Sequence, residues 1–460
     1  MPHVVIIGAG LSGLSLAYRL RCARPDFTVT VLEKNSRTGG NIWTERRDGF
    51  QVEIGPNGFL DAKPSTMKLC SDLGLGEKLI HGSDASRLNR YLFWNGKLRP
   101  LPSSLWSFLT NGILSWRGKI NLLMEKYRRR PPGTPDDESI HDFAKRRAGR
   151  EVAEIIADAM VTGIHAGDPK LLSIQAAFPR VAKFERENGS VMRGFSQASR
   201  LRRLEAAKRG ETAQPARMWS FRDGLRVLVE ALQEQSGASI HRGVAVKNIR
   251  QIGPQWEVQG EGKDRWTADA VVLTCPAAEQ TEQLSEVDPT LSEMIGSIRS
   301  TKVAVVALGF RQSDIPKPLE GFGYIAPQST RRDVLGVQWC SSIFPGRSPN
   351  GTVLWRALCG GWHRGEMVEW GDDRLIAAVR EELRLAQGVT AEPVFHHIAR
   401  WPRAIPQYEI GHVERVSRIE QRLAGHRGLF LGGNAYHGVA MNDCTEQSEI
   451  LAGRITQYLA

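Results

Sequence analysis

Cysteine is scarce in this sequence of 460 residues: Cys22, Cys70, Cys275, Cys340, Cys359 and Cys444 are the only six, and no two form a C-x-x-C pair. That scatter argues against a zinc site, a dithiol redox centre or a secreted disulfide framework, and it suits reduced, mostly buried thiols. Long apolar runs are missing as well. No stretch approaches the roughly eighteen consecutive apolar residues that a membrane-crossing helix needs. An apolar strand already starts at His3, so no signal or transit peptide is expected ahead of it. No internal repeat is present. What remains is ordinary for a folded chain, with 41% hydrophobic and 24% charged residues, and long enough for two or three lobes with substantial cores.

Charge is unbalanced, at a net +11. Such a surplus suits nucleic acid, an anionic membrane surface or an acidic substrate. Nucleic acid is set aside, because no binding module is recognisable and the arginines are dispersed. The stretch from Arg87 to Pro132 differs from the rest. It interleaves Trp94, Trp106, Phe108, Trp116, Leu122, Leu123 and Met124 with Lys97, Arg99, Arg117, Lys119 and Lys126, then ends in Arg128-Arg129-Arg130. Aromatics and cations on short helices are expected to lie in a headgroup layer, as a monotopic contact with an anionic membrane. Residues 300–360 read as β-strands, residues 135–185 as helices, and residues 196–216 as a polar linker, weakly helical at best.

The N-terminus carries the most specific signal. His3-Val4-Val5-Ile6-Ile7 leads into Gly8-Ala9-Gly10-Leu11-Ser12-Gly13, a helix to about Arg21, and a second strand ending at Glu33. In such a unit Gly8 allows the tight turn, Gly10 lets backbone approach a pyrophosphate, and Gly13 lets helix pack on strand. The helix N-terminus offers free N–H groups to the phosphates, and Glu33 accepts the ribose hydroxyls. A 2′-phosphate would be repelled there. The following Arg37-Thr38-Gly39-Gly40 separates flavin from nicotinamide, since a second glycine pair brings more backbone against the diphosphate and ribityl chain. With Glu53-Ile54-Gly55-Pro56-Asn57-Gly58 beyond it, the segment reads as a non-covalent FAD site.

Several later motifs then resemble one family: the oxygen-dependent, FAD-containing protoporphyrinogen oxidases, which include bacterial coproporphyrinogen oxidases. The motifs are Gly39-Gly40-Asn41-Ile42; Arg90-Tyr91-Leu92-Phe93-Trp94-Asn95-Gly96; Gly163-Ile164-His165-Ala166-Gly167-Asp168-Pro169; Gly321-Phe322-Gly323; Ser341-Ser342-Ile343-Phe344-Pro345; Ile405-Pro406-Gln407-Tyr408; and Gly433-Asn434-Ala435-Tyr436-His437-Gly438-Val439-Ala440-Met441-Asn442-Asp443. The resemblance implies an α/β fold, with a Rossmann-type FAD-binding domain, an inserted α+β substrate domain and a helical membrane-associating lobe, on the amine-oxidase/p-hydroxybenzoate-hydroxylase-like plan. On that plan the FAD domain takes residues 1–85, 218–295 and 396–460. The helical lobe takes 86–195, a linker 196–217 and the substrate sheet 296–395.

The resemblance also implies site roles. Gly8, Ala9, Gly10, Leu11, Ser12, Gly13, Glu33, Lys34, Gly40 and Asn41 would hold the ADP half and ribityl chain. Gly55, Pro56, Asn57 and Gly58 would pass the isoalloxazine, Val246 would touch the adenine, and Trp401, Gly438, Val439, Ala440 and Met441 would close over the flavin. Arg90 would pair with a substrate propionate, Phe344 would stack on a pyrrole, Ile325 would sandwich another ring, and Gly163 would leave room for the macrocycle. The implied reaction is the six-electron oxidation of protoporphyrinogen IX to protoporphyrin IX, with dioxygen as acceptor and hydrogen peroxide as product. Coproporphyrinogen III oxidation by the same mechanism and a flavin amine oxidase are the alternatives. A carotenoid-desaturase-like enzyme and a non-catalytic FAD-binding protein are further rivals. No catalytic side chain is assigned: His165 and His437 lie in segments expected near the pocket, but histidines there are more often structural. Lys302, near where amine oxidases place an active-site lysine, is expected to be an exposed strand-edge residue. A homodimer and a cytoplasmic location at the inner face of the cell membrane complete the expectations, with no metal.

Overall fold

The computed structural model describes residues 1–460 apart from 103, 209, 211, 213, 214, 318 and 319. Its first sheet is parallel and five-stranded, in the order Ser239–Arg242, Thr28–Glu33, His3–Ile7, Ala270–Leu273, Leu429–Leu431. Val4, Val5, Ile6, Val271 and Val272 are wholly buried, as continuous apolar runs in a parallel sheet covered on both faces must be. The helices Leu11–Ala23, Arg226–Gln235 and Met441–Tyr458 fill one face. A three-stranded sheet (Asn248–Ile252, Gln255–Gln259, Arg265–Ala268) and the helices Ala277–Leu284, Pro289–Gly296 and His412–Leu423 fill the other. Three distant chain segments thus build one layer stack, which places the carboxyl ends of its strands along a single edge.

The second sheet is mixed and seven-stranded: Phe395–Trp401, Val303–Arg311, Thr352–Gly360, Val334–Gln338, Gly323–Ile325, Arg90–Trp94, Lys97–Pro100. Leu375, Val379 and Leu383 of the helix Asp372–Gln387 pack on one of its faces against Trp339 and Trp355. Helices Ile140–Ala148, Asp158–His165 and Pro179–Asn188 form a further lobe. Among the described residues no helix is long and apolar enough to cross a membrane.

Two local expectations change. The segment Arg90–Pro100, read with the helical stretch, is a hairpin at the edge of the seven-stranded sheet. Asn95 and Gly96 both take positive φ (51° and 72°), the geometry of a two-residue hairpin turn. Helix Val191–Lys208 runs through most of the expected linker, whose residues 209, 211, 213 and 214 lie outside the described residues. Its Ala, Leu and Arg content favours helix, and Phe195 packs edge-on against Phe184 at 4.9 Å, so tertiary contact supports what composition alone leaves weak. Met218–Phe221 is a strand between Phe59–Leu60 and Leu79–His81, and the helix that follows starts at Arg226. Val244 donates to the Glu33 carbonyl at 2.9 Å, and the strand Asn248–Ile252 begins beyond it.

Candidate functional site

The glycine turn after the first strand is built as the sequence predicts. Gly8 takes φ +106°, which a side chain would strain, and a Cβ there would sit 2.9 Å from the Cys275 nitrogen. A Cβ on Gly13 would lie 2.0 Å from the Gly8 carbonyl oxygen, so this glycine is required by helix–strand packing. Gly10 differs from both. Its φ is an ordinary −76°, and a methyl added there would find the Gly40 Cα as its nearest atom, at 4.0 Å. Neither strain nor protein packing requires glycine at that position, and the space left open suits a ligand that approaches the backbone.

The second glycine pair closes on this turn. Gly39 donates to the Ala9 carbonyl at 2.7 Å and bridges to Gly10, which brings two stretches of bare backbone together. No side chain caps helix Leu11–Ala23, and its first turn holds no acid, so its N–H groups remain for an anion. Glu33 is buried: Oε2 accepts from the Ala9 N–H and Oε1 from the Asn35 N–H, both at 2.9 Å, which fixes the carboxylate and leaves lone pairs for hydroxyls. Lys34 is exposed and pairs with Glu279, and Val246 is half-buried beyond the end of the Glu33 strand. Leu11 is buried and Ser12 half-buried on the helix, while Asn41 is exposed. This donor set fits the ADP half of FAD.

The next segment, Ile54 to Gly58, is held from three sides. Trp401 Nε1 donates to the Ile54 carbonyl at 2.7 Å. Arg356 Nη1 donates to the carbonyls of Glu53 and Gly55 at 2.6 and 2.8 Å. A Cβ on Gly55 would fall 1.7 Å from the Asn41 carbonyl oxygen, which ties this segment to the Gly40-Asn41 loop; Pro56 and Gly58 are half-buried and Asn57 buried. From the C-terminal side come Gly438, with φ +133°, then Val439 and Ala440, and helix Met441–Tyr458 begins immediately after. Tyr408 pins that approach, accepting from the Gly438 N–H and donating to the Asn434 carbonyl.

In the seven-stranded sheet, Arg90 and Leu92 share a face with Gly323 and Ile325, their paired partners. Helix Asp158–His165 lies against that face: a Cβ on Gly163 would meet Ile325 Cδ1 at 2.6 Å. The structure therefore brings Arg90, Gly163 and Ile325 together. Arg90 stacks its guanidinium 4.9 Å from the Phe322 ring, and its loss of water pulls its pKa down. No carboxylate among the described residues pairs with it. Phe344 is a correction. It is fully buried, packed behind Gly58 and 5.2 Å from the Arg347 guanidinium, so no ring face is open for stacking on a pyrrole. The short helix Cys340–Ile343 turns it into the interior.

The histidines settle into structural places. His165 is buried against Phe178 and Tyr408, and burial pulls its pKa down to about 4. His437 is exposed and points to Glu420 at 3.4 Å. Lys302 is exposed and paired with Glu369 at 2.9 Å, but it precedes the strand Val303–Arg311, which is paired on both sides and is not a sheet edge. Arg347, Arg356 and Tyr408 receive no role from the sequence. A lone arginine inside the apolar run Val353-Leu354-Trp355-Arg356-Ala357-Leu358 is the signal available for one of them.

A model of the family described as flavin containing amine oxidoreductase matches residues 11–456. Coproporphyrinogen III oxidase of Bacillus subtilis is 29% identical, over 99% of this chain and 98% of its own length. Protoporphyrinogen oxidase 1 of Arabidopsis thaliana chloroplasts is 31% identical, over 99% of this chain and 88% of its own. Among solved structures, a protein of Exiguobacterium sp. 255-15 provisionally named protoporphyrinogen oxidase superposes with a TM-score of 0.84 at 25% identity, over 99% of both chains.

Proposed function

Because the chain belongs to the flavin-containing amine oxidoreductase family, we propose that this FAD-dependent oxidoreductase converts protoporphyrinogen IX to protoporphyrin IX, with dioxygen as acceptor. One observation carries the reading: an unpaired guanidinium, Arg90, on the same sheet face as the tight Gly163–Ile325 contact. A porphyrinogen is a large apolar ring with carboxylates at one side, and it needs that pairing of greasy wall and cation.

Bound FAD supplies hydride acceptance and passes electrons on to dioxygen. The chain's own residues do the rest by placement. Arg90 takes a propionate as a forked donor, a role that lysine's point charge fills less well. Gly163 keeps a methyl out of the space against Ile325. Trp401 and Tyr408 fix the backbone on either side of the flavin. His165, neutral at pH 7, packs against Phe178 and Tyr408 without adding charge.

The same reading extends to the membrane. Trp106 and Trp116 are 75% and 65% exposed, and Ile120, Leu123, Met124 and Tyr127 join them on one small lobe with Arg117 and Lys126. That surface suits peripheral contact with the anionic inner face of a cell membrane. The test of the function is direct. Purified yellow protein is offered protoporphyrinogen IX, coproporphyrinogen III and an amine, and porphyrin fluorescence and peroxide are followed. Fluorescence rising fastest with protoporphyrinogen supports the proposal. Faster turnover of coproporphyrinogen reassigns the substrate, and consumption of the amine alone ends the tetrapyrrole reading.

A further inference from the structure

Behind the Glu53–Gly58 segment lies a buried group of charges that no site role has used. Arg347 and Arg356 are 1% and 3% exposed, and the carboxylate beside them, Glu53, is 2% exposed. Arg347 Nη2 is 3.8 Å from Glu53 Oε1 and donates to Ser220 Oγ at 2.9 Å. Arg356 spends one nitrogen on the carbonyls of Glu53 and Gly55. Glu53 is already occupied by the Leu225 N–H at 3.0 Å and Thr44 Oγ1 at 2.9 Å, and burial pushes its pKa up. Burial also pushes the Cys340 thiol up, so it adds no negative charge. The nearby Arg46–Asp223 pair is exposed and neutralises itself. Two guanidinium ions therefore face at most one carboxylate, and the surplus is positive whichever form Glu53 takes. Arg347 Nε and Nη1, Arg356 Nε and Asn57 Nδ2 are all buried without a hydrogen-bond partner.

Burying an unbalanced cation is strongly destabilising, and orphaned N–H donors add to that. A packed core of the same volume would be more stable. We infer that Arg347 and Arg356 hold positive potential under the flavin-facing loop and so favour the negative charge that arrives there with each hydride. They act through space and, for Arg356, through the loop backbone it grips, which makes them positioning residues. This inference rests on the flavin reading given above.

The test uses FAD-loaded protein and its midpoint potential. Arg356→Gln and Arg347→Gln should each lower the potential, shifting the reduced-to-oxidised ratio at least tenfold, about 30 mV for a two-electron couple. Arg356→Lys, which keeps the charge, should stay near the unaltered value. Unchanged potentials in Gln variants that still hold FAD overturn the inference, as does a Lys variant that falls as far as Gln. Should the Gln variants not fold, photoreduction of the unaltered holoenzyme decides: a red, anionic flavin radical is expected, and a blue, neutral one contradicts it. A protein that never binds FAD fails the functional reading instead, so the two failures are distinct.

Discussion

Tyr408 and Gly438 are joined by a hydrogen bond of 2.8 Å from the glycine N–H to the phenol oxygen, which in turn donates to the Asn434 carbonyl at 2.7 Å. His412 stacks on the tyrosine ring at 4.0 Å, and the neighbouring Gln407 holds the His165 carbonyl at 3.0 Å. One buried phenol thus lies between the end of helix Asp158–His165 and the loop that leads into helix Met441–Tyr458. Tyr408→Phe keeps the ring and removes both bonds. Each is worth about 1 kcal/mol, with more lost where a buried group is left unsatisfied. FAD affinity should fall roughly tenfold, as checked by flavin fluorescence titration of the apoprotein, with a modest loss of melting temperature.

Glycines 10 and 13 should respond in opposite ways. Gly10→Ala meets open space, so the fold should melt where the parent does while FAD binding is severely weakened. Gly13→Ala drives a methyl into the Gly8 carbonyl and should cost folding itself. Calorimetry together with flavin content separates the two.

Arg90→Ala should raise KM for the porphyrinogen by about 10- to 100-fold, the worth of a charge-assisted hydrogen bond to carboxylate, while the protein stays yellow. Arg90→Lys should recover part of that loss. Steady-state kinetics by porphyrin fluorescence reports both.

How much can be read in the sequence depends on the range of the interaction. The glycine turn, Glu33 and the second glycine pair are local patterns, and they sit where spacing puts them. Arg90, Gly163 and Ile325 come from three distant segments, and short of the folded sheet only family likeness brings them together. Phe344 shows the limit. A motif alignment fixes its place in the chain, but the turn at Cys340–Ile343 decides which way the ring faces, and it faces inward. Residues 196–208 of helix Val191–Lys208 read as a linker because the helix's contact with Phe184 is tertiary and invisible to composition. The Arg347–Arg356 group escapes sequence reading because a buried charge surplus exists only once strands from different segments meet.

Acid should destabilise the fold through two histidines. Burial holds both His165 and His412 at about 4, below the ordinary 6.5. The unfolded chain then binds protons first, so stability is full above about pH 6.5 and falls as pH drops towards 4. Each site contributes at most about 3 kcal/mol across that window. Urea unfolding at stepped pH should show the decline, and His412→Gln should flatten part of it.

Trp106→Ser with Trp116→Ser should reduce pelleting with phosphatidylserine vesicles several-fold and leave turnover of soluble substrate intact. Added salt should weaken the binding of the parent protein. Equal pelleting of parent and variant would remove that lobe from the membrane contact.

The most direct measurement mixes the oxidised holoenzyme with protoporphyrinogen IX in the absence of oxygen and follows the visible absorption band of the flavin. The account predicts rapid bleaching, then recovery of the yellow colour and appearance of porphyrin fluorescence when air is admitted. A flavin that stays oxidised with porphyrinogens, yet bleaches with an amine, would contradict it.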